Sequence, residues 1–257
     1  MNEALLRRNP GEGIFYNQKT NIRSIGGSTL IYNMDCIEGA KQIIEDNSVD
    51  LIVTDPPYNL GFGGTTQTKT KRPRFNIIAN DNLPQRDYQR FTFQWLRQAY
   101  RVLKPGRHIY VCIDWRMYPL ISLWMQRVGF VIKNCIVWDK VHMGMGWQYR
   151  FQHEFIIFAV KGKQKARRIG TRKARDIWSI PRISGNKTVH PTEKPSELIA
   201  PMILNSSQPG ELVVDFFLGS GPVAEAAIAN DRRFIGFEID PGYFQITKKR
   251  IELMKHK

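Results

Sequence analysis

Cysteine is scarce in this chain, and what there is forms no pattern. Cys36, Cys112 and Cys135 are odd in number and far apart, with no CxxC pair and no His/Cys cluster. That excludes a disulfide scaffold and a thiolate zinc site, so the three read as reduced thiols of a cytoplasmic protein with no metal. Long apolar runs are also lacking. No stretch of eighteen apolar residues occurs, which excludes an apolar membrane-spanning helix. The first thirty residues hold no continuous apolar core and no cleavage pattern, so no secretory signal is expected. Acids are in short supply too: 23 Asp and Glu stand against 38 Lys and Arg, a formal net charge of +15 over 257 residues. Such a balance suits a polyanionic partner, nucleic acid first among them, although a merely solvated basic surface gives the same count.

Hydrophobic residues make up 42% of the chain, enough for a full core, and they alternate between strand-like and helix-like runs. Strands are expected at 29–32, 49–54, 108–113, 131–138, 154–160, 211–216 and 233–239. The run VDLIVT at 49–54 is too short for a helix and apolar throughout, as a strand buried on both faces would be. Helices are expected after the first strand and ending near 47, and at 88–102, 120–128, 196–205, 223–230 and 242–254. Tyr88, Phe91, Trp95, Ala99 and Val102 recur every three to four residues. Lys104-Pro105-Gly106 should stop that helix, Gly129 should close the next, and Pro201 should kink or shorten the helix around it. The alternation predicts a doubly wound α/β fold with a mostly parallel sheet. Residues 1–27 read as a polar arm and 28–257 as one domain. Two segments break the pattern: a basic loop at 59–81, and an insert at about 161–189 without periodicity.

Two constellations carry chemistry. Asp55-Pro56-Pro57-Tyr58 directly follows the strand VDLIVT. A given tetrapeptide arises by chance in about one chain in a thousand of this length. A Pro-Pro turn can simply end a strand, but that accounts for neither the acid nor the aromatic beside it. The prolines hold the backbone rigid at the carboxyl edge of the sheet. The Asp55 carboxylate and the Pro56 carbonyl could then accept both hydrogens of one NH2 group. Two such acceptors favour a pyramidal nitrogen with a localised lone pair, as methyl transfer to an aromatic amine requires. Tyr58 offers a flat face for a planar base, a role in which a Phe ring would serve nearly as well. The second constellation is Val213 to Gly221, a strand running into the glycine-rich turn Gly219-Ser220-Gly221. With Ala224 and Glu238 it also satisfies a dinucleotide fingerprint. Pro222 argues against NAD, because it removes an N–H that a pyrophosphate would use. Glu238, at the end of the next strand, is suited to accept from two ribose hydroxyls.

These motifs together resemble the amino-methyltransferases of DNA. Asp55-Pro56-Pro57-Tyr58 is similar to that family's DPPY tetrapeptide, Phe217-Leu218-Gly219-Ser220-Gly221 to its FxGxG turn, and His190 to Pro195 to its HPTEKP segment. DPPY precedes the glycine turn by more than 150 residues, as in the permuted beta group. The resemblance covers residues 29–254. It implies a Rossmann-like fold with circularly permuted motif order and transfer of a methyl from S-adenosylmethionine (SAM) to adenine N6. Asp at the head of the tetrapeptide favours adenine over cytosine N4. Asp55, Pro56, Pro57 and Tyr58 would be catalytic, with the target base flipped from double-stranded DNA.

By the same likeness Asp35 and Cys36 would meet the cofactor's adenine. Thr192 and Lys194 would lie along its methionine. Asp55, Asp215, Phe216, Phe217, Gly219, Ser220, Gly221 and Glu238 would border the rest of its pocket. The family reads Asp-Pro-Phe where this chain has Phe216, and Thr-Thr where it has Pro222 and Val223. Lys69, Lys71, Arg72 and Arg74 in the loop, and Arg167, Arg168, Arg172, Lys173 and Arg175 in the insert, are expected to meet DNA, mostly at phosphates. His153-Glu154 also resembles the family and reads as structural. A homodimer and a cognate restriction enzyme are further implications. The rival reading is a basic DNA-binding protein on a catalytically decayed fold.

Overall fold

The computed structural model describes residues 18–24, 27–61, 78–144, 147–163, 165–171, 173–184, 188 and 193–254. Nine strands form one sheet. They are β1 (Gln18–Ser24), β2 (Gly27–Asn33), β3 (Val49–Thr54), β4 (Leu103–Ile113), β5 (Phe130–Asp139), β6 (His153–Lys161), β7 (Ile177–Ser179), β8 (Leu212–Asp215) and β9 (Arg233–Glu238). Six helices cover it: α1 (Cys36–Ile43), α2 (Gln85–Val102), α3 (Tyr118–Val128), α4 (Ser196–Ser206), α5 (Pro222–Ala229) and α6 (Pro241–Met254). The strand order is β1-β2-β9-β8-β3-β4-β6-β5-β7. The five strands from β2 to β4 run parallel, β6 is antiparallel to both β4 and β5, and β1 is antiparallel to β2. β3 and β8 are neighbours in space although far apart in the chain.

The sheet separates two cores, as the doubly wound expectation requires. On one face Ile37 and Ala40 of α1, Trp95 and Leu96 of α2, and Ile121 and Trp124 of α3 pack against Ile52, Ile109 and Val111. On the other, Leu198 and Met202 of α4, Ala224 of α5 and Phe244 of α6 pack against Leu51, Val53 and Val213. All six residues of β3 are buried, which explains the unbroken apolar run. Gly129 ends α3 in the left-handed conformation, its N–H returning to the Met125 and Gln126 carbonyls.

Four expectations need correction. Residues 18–24 are not an arm: they form β1, pairing with β2 from Gln18↔Asn33 to Ser24↔Gly27. Backbone pairing at a sheet edge needs no apolar alternation, so no pattern announced it. Gly27 opens β2, and residues 1–17 and 25–26 of that segment lie outside the described residues. Lys104-Pro105-Gly106 ends α2 but sits inside β4, where the register against β3 shifts and Gly106 takes φ +73°. Pro201 does not shorten α4, which runs through it from Ser196 to Ser206. Burial of Leu198, Ile199, Met202 and Ile203 outweighs the roughly 3 kcal/mol a helical proline costs. The insert contains a short strand, β7, laid parallel on β5.

Candidate active site

β3 and β8 deliver their last residues to the same edge of the sheet. Thr54 at the end of β3 donates its hydroxyl to Asp215 Oδ1 at the end of β8 (2.9 Å) and accepts from the Phe216 N–H (3.3 Å). That clamp sets Asp55-Pro56-Pro57-Tyr58 beside the glycine turn. Gly219 and Gly221 have φ of +52° and +85°. A Cβ on Gly221 would lie 2.6 Å from Thr247 Cγ2, so the tight turn demands glycine there. Pro222 is the first residue of α5, where its missing N–H costs the helix nothing.

Two neighbouring hollows form a trough along this edge and share part of their lining. The larger, about 960 Å³ and open to solvent, is lined by Asp55, Tyr58, Lys194, Asp215, Gly219 and Ser220 among others. The smaller, about 320 Å³, is lined by Asp35, Cys36, Phe216 and Phe237. Ala79, Phe217, Glu238 and Ile239 border both, so Glu238 stands at the junction. Its Oε1 accepts from the Asp240 N–H and its Oε2 from the Gly219 N–H, each at 2.8 Å. One lone pair on each oxygen remains, and the carboxylate is locked in orientation. Burial raises its pKa to about 7, and burial does the same to Asp215. Asp35 caps α1, accepting from the Ile37 and Glu38 N–H groups. Phe216 is buried against Trp95 and Phe237 and is among the residues lining the smaller hollow.

The tetrapeptide sits in a charged network that only folding assembles. Tyr58 donates its hydroxyl to Asp55 Oδ1 at 2.5 Å. Lys194 donates to Asp55 Oδ2 at 2.6 Å and to the Tyr58 hydroxyl oxygen at 3.1 Å. Glu154 Oε2 lies 3.4 Å from both Lys194 Nζ and Tyr58 Oη, while its Oε1 accepts from Lys140 at 2.9 Å. Burial alone would lower the Lys194 pKa, but Asp55 and Glu154 hold it raised, so the ammonium persists. Burial pushes the Asp55 carboxyl up against the pull of Lys194 and Tyr58. Burial also acts on Glu154, but its two lysines more than offset that and hold it below its ordinary range. The network is electrically balanced, two carboxylates against two ammonium groups. Tyr88 donates to the Pro57 carbonyl at 2.7 Å, whereas the Pro56 carbonyl has no partner among the described residues.

Several expectations shift here. Lys194 does line the trough, but its ammonium is engaged with Asp55. The Tyr58 hydroxyl is not an idle substituent on a stacking ring, because it bridges Asp55 and Lys194. Glu154 joins the site while its neighbour His153 instead packs on Phe155. Glu154 carried two signals, its place at the opening of a strand and the resemblance of His153-Glu154 to the family, and neither pointed to Lys194 or Tyr58.

Arg167 is not free to meet DNA. Its guanidinium is held by Glu211 and the Ser206 carbonyl, its N–H by the Gly106 carbonyl, and its own carbonyl accepts from His108. These partners lie where β4 and β8 begin, at the edge of the sheet opposite Asp55, so the first half of the insert does not flank the trough. Arg168, Lys173 and Arg175 are exposed. Thr192, Arg172, Lys69, Lys71, Arg72 and Arg74 lie outside the described residues. The two ends of the loop carrying the last four are pinned near the trough. Asn59 exchanges hydrogen bonds with the Leu83 backbone, and Gly61 N–H donates to the Asp81 carbonyl.

Residues 49–249 match the family model described as DNA methylase. The chain belongs to the DNA methylase family. The methylase is 31% identical over 232 residues to the type II methyltransferase M.HpaI of Haemophilus parainfluenzae, covering 81% of this chain and 70% of that one. It also matches the crystal structure of the M1.HpyAVI–SAM complex with a TM-score of 0.61 and 27% identity, over 86% of this chain and 98% of that one. The cytosine-N4-specific PvuII DNA methyltransferase matches with a TM-score of 0.68 over 90% of each chain; at 17% identity this shows the shared fold.

Proposed function

We propose that the methylase transfers a methyl group from SAM to the exocyclic amine of a base flipped out of double-stranded DNA, and that the base is adenine, methylated at N6. The observation that carries this reading is the pair of neighbouring hollows, with Glu238 lining both and the Asp55-Pro56 acceptors lining the larger. SAM fits the donors present. Asp35 and Cys36 border a hollow for a planar base, Glu238 retains acceptor capacity for two ribose hydroxyls, and the buried Ser220 hydroxyl has no partner among the described residues. Pro222 at the first helical position suits a cofactor without phosphates. Lys194 would lie along the methionine part, with Asp215, Phe216, Phe217 and Gly219 lining the rest of the pocket and Gly221 bordering it.

When bound, SAM supplies an electrophilic methyl group. The methylase's own residues do the rest. Asp55 and the Pro56 carbonyl accept the two amine hydrogens and localise the nitrogen lone pair. Pro57 keeps the turn rigid. Asp55 is also the nearest base for the proton that the nitrogen sheds as the new N–C bond forms. Lys194 and Tyr58 hold the Asp55 carboxylate in place. Adenine rests on Asp55 at the head of the tetrapeptide; the fold is compatible with either base, since the PvuII enzyme shares it.

The reading extends to residues 28–257 as one permuted unit, with the acceptor strand ahead of the glycine-turn strand. It includes a cytoplasmic setting, a homodimer and a cognate restriction enzyme. The type II name of M.HpaI supports the last. No helix among the described residues is long and apolar enough to cross a membrane. Incubation with labelled SAM and genomic DNA, followed by nucleoside analysis, tests all of the chemistry. Label should appear in N6-methyladenine. Label in N4-methylcytosine would overturn the choice of base, and unlabelled DNA would overturn the activity.

A further inference from the structure

The turn joining β5 to β6 carries large aromatic side chains that the fold does not use. Trp147 is 97% exposed and Tyr149 93%, with Met143, Phe151 and Trp115 also exposed nearby in sequence or structure. Scattered apolar residues on a surface mean little, but this many on one turn is a patch. Hydrogen bonds tie together the described residues on the two sides of the turn. Lys140 N–H donates to the Gln152 carbonyl and Gly144 N–H to that of Phe151, and Arg150 Nε donates to the Gly144 carbonyl at 2.9 Å.

Its position ties it to the active edge. Lys140, at its base, donates to Glu154, which lies 3.4 Å from Lys194, which in turn holds Asp55. Tyr149 is five residues from Glu154 and Trp147 seven, so their backbones lie no more than about 17 Å and about 24 Å from that of Glu154. Basic groups interleave the aromatics. Arg150 and His142 have no carboxylate ion-pair partner among the described residues, and Arg116 lies 5.5 Å over the Phe151 ring. The nearby acids are engaged: Asp114 pairs with Arg116, and Asp139 accepts from Val141 N–H and Gln152. Exposed rings beside an arginine with no acid partner are a composition that grips nucleobases, by stacking and phosphate attraction together.

We infer that the β5–β6 hairpin enters the duplex beside the target, where Trp147 and Tyr149 stack on bases unstacked by flipping. The occupant is the substrate DNA, which rests on the function proposed above. This places base-level contact on the hairpin, not on the basic insert at 161–189.

The test compares wild type with Trp147→Ala and Tyr149→Ala on a short duplex carrying a site that the wild type methylates. Both side chains are exposed, so the variants should fold and bind SAM normally. Duplex affinity and single-turnover rate should fall about five- to hundredfold. The rate should recover when the target base is mispaired, because less stacking and pairing must then be broken. Variants equal to wild type on the paired duplex, or equally impaired on the mispaired one, overturn the inference. So does a wild type that sediments as a dimer with both variants monomeric, since the hairpin would then serve a second copy. A wild type that methylates no DNA would sink the proposed function instead, while duplex affinity would still decide the role of the hairpin.

Discussion

Replacing Tyr58 with Phe separates the two jobs this residue performs. The ring survives, so any stacking on a flipped base survives with it. What disappears is the hydroxyl that donates to Asp55 Oδ1 at 2.5 Å and accepts from Lys194 at 3.1 Å. A hydrogen bond to a charged group contributes about 1.5–3 kcal/mol net. Lys194 keeps its bond to Asp55, so the carboxylate stays ionised but loses one of the two contacts that fix its plane. If that orientation is needed in the transition state, the same energy appears as a ten- to hundredfold slower methyl-transfer step. Single-turnover kinetics at saturating SAM and DNA reads this directly, and calorimetric titration should give unchanged SAM affinity. Tyr58→Ala should be slower still, by the lost stacking surface, worth about 1–3 kcal/mol per base. A Tyr58→Phe enzyme turning over at the wild-type rate would refute the reasoning. It would mean that the Asp55–Tyr58 bond belongs only to the resting site and is given up when the amine arrives.

Glu238→Ala should weaken SAM binding about tenfold to a hundredfold, measured by calorimetry, because a charged acceptor is lost. Burial raises the Glu238 pKa to about 7, so its carboxylate forms only as pH climbs through that value. SAM affinity should therefore rise from pH 6 to 8, and Glu238→Gln should flatten the rise. The same raised pKa makes the folded state hold a proton that the unfolded chain releases above its ordinary pKa. Stability of the SAM-free protein should thus fall as pH rises from about 5 through 7, less so in Glu238→Gln, as thermal melts would show. Arg167→Ala should destabilise the protein by about 1.5–3 kcal/mol in urea unfolding, leaving Glu211 with only the longer contact to Arg107 at 3.4 Å. The salt dependence of DNA binding should not change with it; a flatter log–log slope would return Arg167 to the DNA interface.

The sequence by itself determined the parts of this molecule that short-range physics dictates. The apolar run of β3, the three-to-four spacing along α2, the φ-restricted Pro56-Pro57 and the glycines of the turn are each legible within a dozen residues. So were Asp55 and Glu238, because each ends a readable strand at an edge where a doubly wound sheet puts its ligands. Local patterning could not reach β1, whose place rests on backbone pairing with β2. It misread Arg167, whose basic neighbours made it look like a contact to DNA phosphates. Only the tertiary structure brought Lys194 onto Asp55 across 139 positions and Glu154 towards Tyr58 across 96. It was the sheet order, with β8 against β3 and β6 against β4, that decided which buried charges would meet. A buried ammonium must find carboxylates or not be charged at all, and no spacing along the chain states which carboxylates those are.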